Sequence, residues 1–186
     1  MIEKRRGIRQ CVAVKFKSLF FLLLTAGCLA GCQKTAAPAP QPGSSNNSLP
    51  TQAQPKLQTM KIYLGPEILD AELALTADQI RCGMMFRTNI QETDAMLFNL
   101  RYPQQAAFWM KNCPESISVA YITADGTIQE IHHLEQNDTN SVVAARNDIV
   151  FALETKEGWF DRHHIGTGTV IRTEQGSLAE TFLNGR

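Results

Sequence analysis

Phe108-Trp109-Met110-Lys111-Asn112 holds the densest recognition chemistry in this chain. On an extended backbone Trp109 and Lys111 share one face while Phe108 and Met110 take the other. An indole beside an ammonium, followed by an amide, suits a ligand with a flat or sugar-like face and an anionic or carbonyl oxygen. The ring offers stacking surface, the lysine a charge-assisted donor, and the asparagine both a donor and an acceptor. The competing explanation is an edge-strand tryptophan whose flank the lysine stem covers. Arg87 closes Gly83-Met84-Met85-Phe86-Arg87. A cation there gains from the dipole of a preceding helix and can also serve as a second anion-binding group. Trp159, in Gly158-Trp159-Phe160, either caps the core or stacks on a ligand.

Other chemistry is weaker. Four histidines form two doublets, His132-His133 and His163-His164, with Glu130, Glu135 and Asp161 near them in sequence. Strand neighbours point to opposite faces, and neither doublet has the i, i+4 spacing of a helical metal site, so no metal is assigned. No phosphate-binding glycine loop and no nucleophile elbow occurs. Cys113 follows Lys111 closely, and a nearby cation would activate its thiol. Cys82 and Cys113 either pair as a disulfide or stay as two buried thiols. No cofactor is called for.

Alternation of apolar residues predicts strands at 61–64, 69–75, 96–100, 106–111, 116–123, 127–134, 148–154 and 169–172. Thr76-Ala77-Asp78-Gln79 is a capping box that should open a helix running to about Met85, with Ile80 and Met84 toward the core. A short helical turn is expected over 156–163. Asp125-Gly126 signals a type I′ hairpin. The expected class is α+β: a compact, antiparallel, β-rich domain, open to curling into a barrel, with one clear helix and a short helical turn. Residues 174–186 have weak periodicity and are expected as a loose tail.

The N-terminus gives location. Arg5, Arg6, Arg9, Lys15 and Lys17 precede a run of apolar and small residues from Ser18 to Gly31. A helix of about fourteen residues spans roughly 21 Å, short of the roughly 30 Å hydrocarbon core, so residues 1–31 read as a signal peptide. Leu29-Ala30-Gly31-Cys32 has the form of a lipobox, making Cys32 the lipidated residue and the mature N-terminus. Gln33, in place of an inner-membrane retention aspartate, suggests the outer membrane, facing the periplasm or the cell surface. Residues 32–56, rich in Ala, Pro, Gln, Ser and Asn, are expected as a disordered linker. Removal of residues 1–31 leaves 12 basic and 17 acidic residues, a net charge of −5, which argues against a nucleic-acid partner.

Arg81–Arg87 (RCGMMFR), Ala95–Phe98 (AMLF), Phe108–Asn112 (FWMKN), Ala120–Ile128 (AYITADGTI) and Ile149–Phe160 (IVFALETKEGWF) together resemble the DUF192 family (domain of unknown function 192). The resemblance covers residues 57–173 and implies a small compact β-rich domain, often exported or lipid-anchored. The family's function is not established, so the resemblance implies no activity. Arg87, Trp109, Lys111 and Asn112 match its motifs. Ser118 stands where members usually carry Asp, so no carboxylate role is carried over. The expectation is a lipid-anchored binding module for a small polar or anionic ligand or an envelope component. The alternatives are an envelope enzyme acting on a carbohydrate or small metabolite, and an accessory protein in envelope assembly. Ligand identity and oligomeric state are not legible in these residues.

Overall fold

A computed structural model describes residues 48–184. The signal peptide, Cys32 and residues 33–47 of the expected linker lie outside the described residues. The strands are β1 (Thr59–Leu64), β2 (Glu67–Ala74), β3 (Ala95–Gln104), β4 (Ala107–Phe108), β5 (Ile117–Thr123), β6 (Ile128–Leu134), β7 (Val142–Val143), β8 (Ile149–Lys156), β9 (Ile171–Thr173) and β10 (Gly176–Ser177). Three short helices join them: α1 (Ala77–Cys82), α2 (Trp159–Arg162) and α3 (Leu178–Phe182). Eight strands form one curled, half-barrel sheet in the order β10-β9-β1-β2-β3-β8-β5-β6, while β4 and β7 make a separate ribbon. All pairings in the large sheet are antiparallel except β2 with β3, whose connection carries α1. The domain is α+β and β-rich, as its alternation pattern predicts.

The central strands β5 and β8 are buried on both faces, which explains their near-continuous apolar runs. One face holds a cluster built on Ile62, Leu97, Phe151, Leu153, Trp159 and Phe160. The other is rich in sulfur and aromatic rings: Cys82, Met84, Met85, Met96, Phe98, Met110, Cys113 and Tyr121. Thr76 and Gln79 form the predicted capping box. Met84 is buried, and Ile80 packs partly buried against the second cluster.

Five local features depart from the sequence reading. Helix α1 stops at Cys82, not Met85, because Gly83 adopts φ +48° and ψ −133°, a backbone open essentially to glycine alone. The strand expected over 106–111 ends at Phe108, since Asn112 at φ +61° and the Cys113 N–H to Met110 carbonyl bond (3.0 Å) fold 110–113 into a turn. The β5–β6 hairpin is not type I′: Gly126 has φ +90° but Asp125 is not left-handed. The Gly126 N–H bonds the Thr123 carbonyl at 2.9 Å, and the Thr123 N–H bonds the Thr127 carbonyl at 3.1 Å. Those bonds make a longer loop closed by a glycine bulge. The expected tail from Glu174 instead forms β10 and α3, with a Ser177/Glu180 capping box and a fully buried Leu178. Finally, the last linker residues dock on the domain. Gln54 Nε2 donates to the Gly83 carbonyl (2.8 Å) and the Gln79 carbonyl (3.2 Å), supplying partners to α1's C-terminal end.

Candidate functional site

Cys82, Gly83, Phe98, Trp109, Cys113 and Glu154 line a cavity of about 250 Å³. Its floor comes from β8. Glu154 lies opposite Met96 of β3 and Val119 of β5, on the sulfur-rich face. The residue is 4% exposed. Its Oε2 is buried without a hydrogen-bond partner. Burial pushes its carboxyl up to about 8, against a smaller opposing pull from Arg87. Near neutrality it is therefore mostly a protonated acid, able both to donate and to accept. Gly83 keeps the approach open, since a Cβ added there would lie 3.5 Å from the Phe98 ring and 3.8 Å from Glu154 Oε2.

Arg81, on the last turn of α1, lines the same cavity. One of its terminal nitrogens pairs with Asp78, while its Nε is buried without a partner. Among the described residues these two atoms, Arg81 Nε and Glu154 Oε2, are the buried side-chain polar atoms left unpaired. Both residues line one cavity, and Arg81 also lines a more open hollow with Asp78 and residues 48–55.

Trp109 stands at the cavity edge, 37% exposed. Lys111 Nζ lies 5.5 Å from its ring centroid, a cation–π distance. These two expected site residues thus come together, through a turn and not through strand alternation. Phe108 packs edge-on against Phe98 at 5.1 Å between centroids, closing the side wall. Asn112 contributes its backbone: its carbonyl accepts the Phe86 N–H at 2.7 Å. Asparagine tolerates the left-handed conformation this turn requires.

Arg87 sits elsewhere. It forms a two-pronged pair with Glu72, at 2.5 and 2.9 Å, and lines a second cavity with Lys56, Glu72 and Asp94. Met84 lines both cavities and stands between them. Burial opposes ionisation of Glu72, but the Arg87 hydrogen bond and the Leu57 N–H (2.7 Å) outweigh it and hold its carboxyl below the usual range. Arg87 reaches Glu154 only as a long-range charge.

Cys82 and Cys113 are free buried thiols on the Glu154 cavity, the second of the two alternatives. Burial, then Glu154 and Cys82, push the Cys113 thiol up to about 12. That corrects the expectation of activation by Lys111: the thiol stays protonated and inert. His132 bonds Glu130 (2.9 Å), and His163 stacks on Trp159 at 4.3 Å between ring centroids. Among the described residues no cluster of three His, Cys, Asp or Glu side chains could hold a metal ion. Trp159 is 1% exposed and belongs to the core. Ser118, His133 and Asp161 connect in the order of a hydrolase relay, with Ser118 Oγ 3.3 Å from Nδ1 and Nε2 3.6 Å from Asp161. Yet Ser118 is fully buried and its Oγ accepts the Gly158 N–H at 2.9 Å. A nucleophile must meet substrate; this one holds the turn into α2.

Residues 60–173 match the DUF192 family, described as "Uncharacterized ACR". The chain belongs to the DUF192 family. No curated protein matches it. Two solved structures resemble this DUF192 chain. One is a candidate transcription regulator from Sinorhizobium meliloti 1021, with 22% identity, a TM-score of 0.61, and coverage of 65% of this chain and 98% of that one. The other is a protein of unknown function from Novosphingobium aromaticivorans DSM 12444, with 25% identity, a TM-score of 0.59, and coverage of 78% and 99%. The first supports the fold alone. Ser118 pairs with Thr155, one residue out of step with Glu154. It therefore faces away from the cavity.

Glu154 was missed in the sequence because it ends a predicted strand and has no partner residue nearby. A signal existed. Ile149-Val150-Phe151-Ala152-Leu153 is apolar on both faces, so a carboxylate continuing that strand must be buried whichever way it points.

Proposed function

We propose that this protein is a lipid-anchored binding module of the cell envelope that receives a small polar ligand in the Glu154 cavity. The observation carrying this reading is the unpaired, buried Glu154 carboxyl at the floor of an otherwise largely apolar chamber. A buried polar group without a partner costs about 1–3 kcal/mol, and a ligand supplying that partner recovers it. Apolar walls with a few convergent polar groups are the usual composition of a small-molecule site. About 250 Å³ exceeds the engineered ~150 Å³ apolar cavity that accepts benzene. Trp109 and Lys111 would form the rim, giving stacking surface and one cation. A binding role is favoured over catalysis because the Cys113 thiol is held protonated and Ser118 is inaccessible. The lipobox at Cys32 supports anchoring, and Gln33 supports the outer membrane.

Screening small polar fragments by amide NMR tests the binding reading. Saturable shifts at Gly83 and the Trp109 indole, with the Trp159 indole unmoved, are expected. A screen that moves neither Gly83 nor Trp109 contradicts it. For the anchor, Cys32→Ser should release the protein from the membrane fraction, and continued membrane association would contradict lipidation there.

A further inference from the structure

We propose that the ligand is a small monocarboxylate with a compact apolar body, its carboxylate held by the Glu154 carboxyl and Arg81 Nε. This rests on the reading of the Glu154 cavity as a binding chamber and names what the chamber takes.

The unpaired groups define the complement. Arg81 Nε–H is a charged donor without an acceptor. Glu154, as a neutral acid, is an O–H donor without an acceptor. Two donors, one of them on a guanidinium whose terminal nitrogen pairs with Asp78, call for a group with two acceptor oxygens, which is a carboxylate. A neutral amide offers one acceptor oxygen and no charge. An ammonium would bring a further cation into a wall that already holds Arg81, with Lys111 at the rim, and would need Glu154 ionised. Most of the remaining wall sets the body: Met84, Phe98, Leu100, Phe108 and Trp109 are apolar or aromatic, with Gln104 a further polar side chain. The volume accommodates roughly one ring beyond the head group.

The groups facing Glu154 bear on its protonation. Arg87, in the segment after α1, acts on it electrostatically. Cys113, and Tyr121 on β5, feel its charge. Cys82 and Arg81, from α1, share its cavity. Of these, the Cys113 thiol and the Tyr121 hydroxyl are pushed up by burial, so both stay neutral while Glu154 titrates. A bound carboxylate adds a negative neighbour and favours the protonated acid further.

Benzoate, benzamide and benzylamine share one ring and differ in the head group, so they distinguish the possibilities on purified full-length protein. Benzoate is expected to bind saturably, moving the Gly83 and Trp109 resonances. With Glu154 ionising near 8, affinity should fall about tenfold from pH 6 to pH 9. Glu154→Gln should flatten that pH dependence, and Arg81→Gln should weaken benzoate about tenfold or more while leaving benzamide little changed. Benzamide or benzylamine binding in the cavity without benzoate would overturn the carboxylate assignment and leave the chamber reading standing. Benzoate binding equally at both pH values in the native protein would remove Glu154 from the contact. Silence from all three probes at Gly83 and Trp109 would overturn both proposals.

Discussion

At the scale of the residue, two buried carboxylates on β2 and β8, the strands that flank β3, have opposite fates because one has partners and the other has none. Glu72 is paired by Arg87 and the Leu57 N–H, so its carboxyl is held low. Its contribution is present above the unfolded carboxylate range and is lost as pH falls through the depressed folded value. Arg87→Ala should cost about 3–5 kcal/mol in a denaturant titration at neutral pH, because it strands a buried charge. Glu154 behaves in the reverse sense. Its carboxyl is raised to about 8, so between the unfolded range near ~4.3 and that value the folded state binds the extra proton. Stability therefore falls as pH rises across this window and is flat above it. Glu154→Gln should remove the slope, gaining on the native protein by on the order of a few kcal/mol by pH 8. Parallel stability profiles for the two proteins from pH 5 to 8 would show that Glu154 is not buried as an acid. Lys111→Ala should change stability by less than about 1 kcal/mol, since the side chain makes a cation–π pair at the cavity rim. The types and numbers of Trp109 and Lys111 were readable as a recognition pair. Arg87's partner was not, because Glu72 reaches it from fifteen residues earlier in the chain, and only folding sets that distance.

At the scale of the element, the site depends on helix α1 ending where it does. Gly83 at φ +48° stops the helix, opens the approach to Glu154 and presents its carbonyl to Gln54. Gly83→Ala should cost about 1–3 kcal/mol, from backbone strain, as measured by thermal or chemical unfolding. The capping box that starts α1 was legible, since Thr76 and Gln79 satisfy each other locally. Its end was not, because a helix interior tolerates glycine at about 1 kcal/mol, so the residue type alone did not announce the turn that Gly83 makes. The same holds at the C-terminus. The Ser177/Glu180 box of α3 has the pattern of a helix start, but five residues carry too little periodicity to weigh against a tail. Deleting residues 174–186 should destabilise by about 2–4 kcal/mol, because Leu178 leaves the core. A truncated chain of unchanged stability would mean that α3 contributes no packing.

At the scale of the whole molecule, the sheet and its curling were legible and its strand order was not. Strand patterns gave nearly every strand of the large sheet, because side-chain alternation and apolar runs are local properties. Strand order, the parallel β2–β3 step and the two clusters on opposite faces come from long-range pairing that no window of sequence displays. The cavity is a product of that pairing: β8 carries the acid, α1 the arginine and the glycine, and the β4 turn the indole and lysine. The account's central claim is that Glu154 is a buried, ligand-ready acid. Side-chain carbon-13 NMR of the Glu154 carboxyl, titrated with and without benzoate, tests this most directly. The expected result is a midpoint near 8 that moves higher when benzoate is present. A midpoint in the ordinary glutamate range, unmoved by benzoate, would contradict the account.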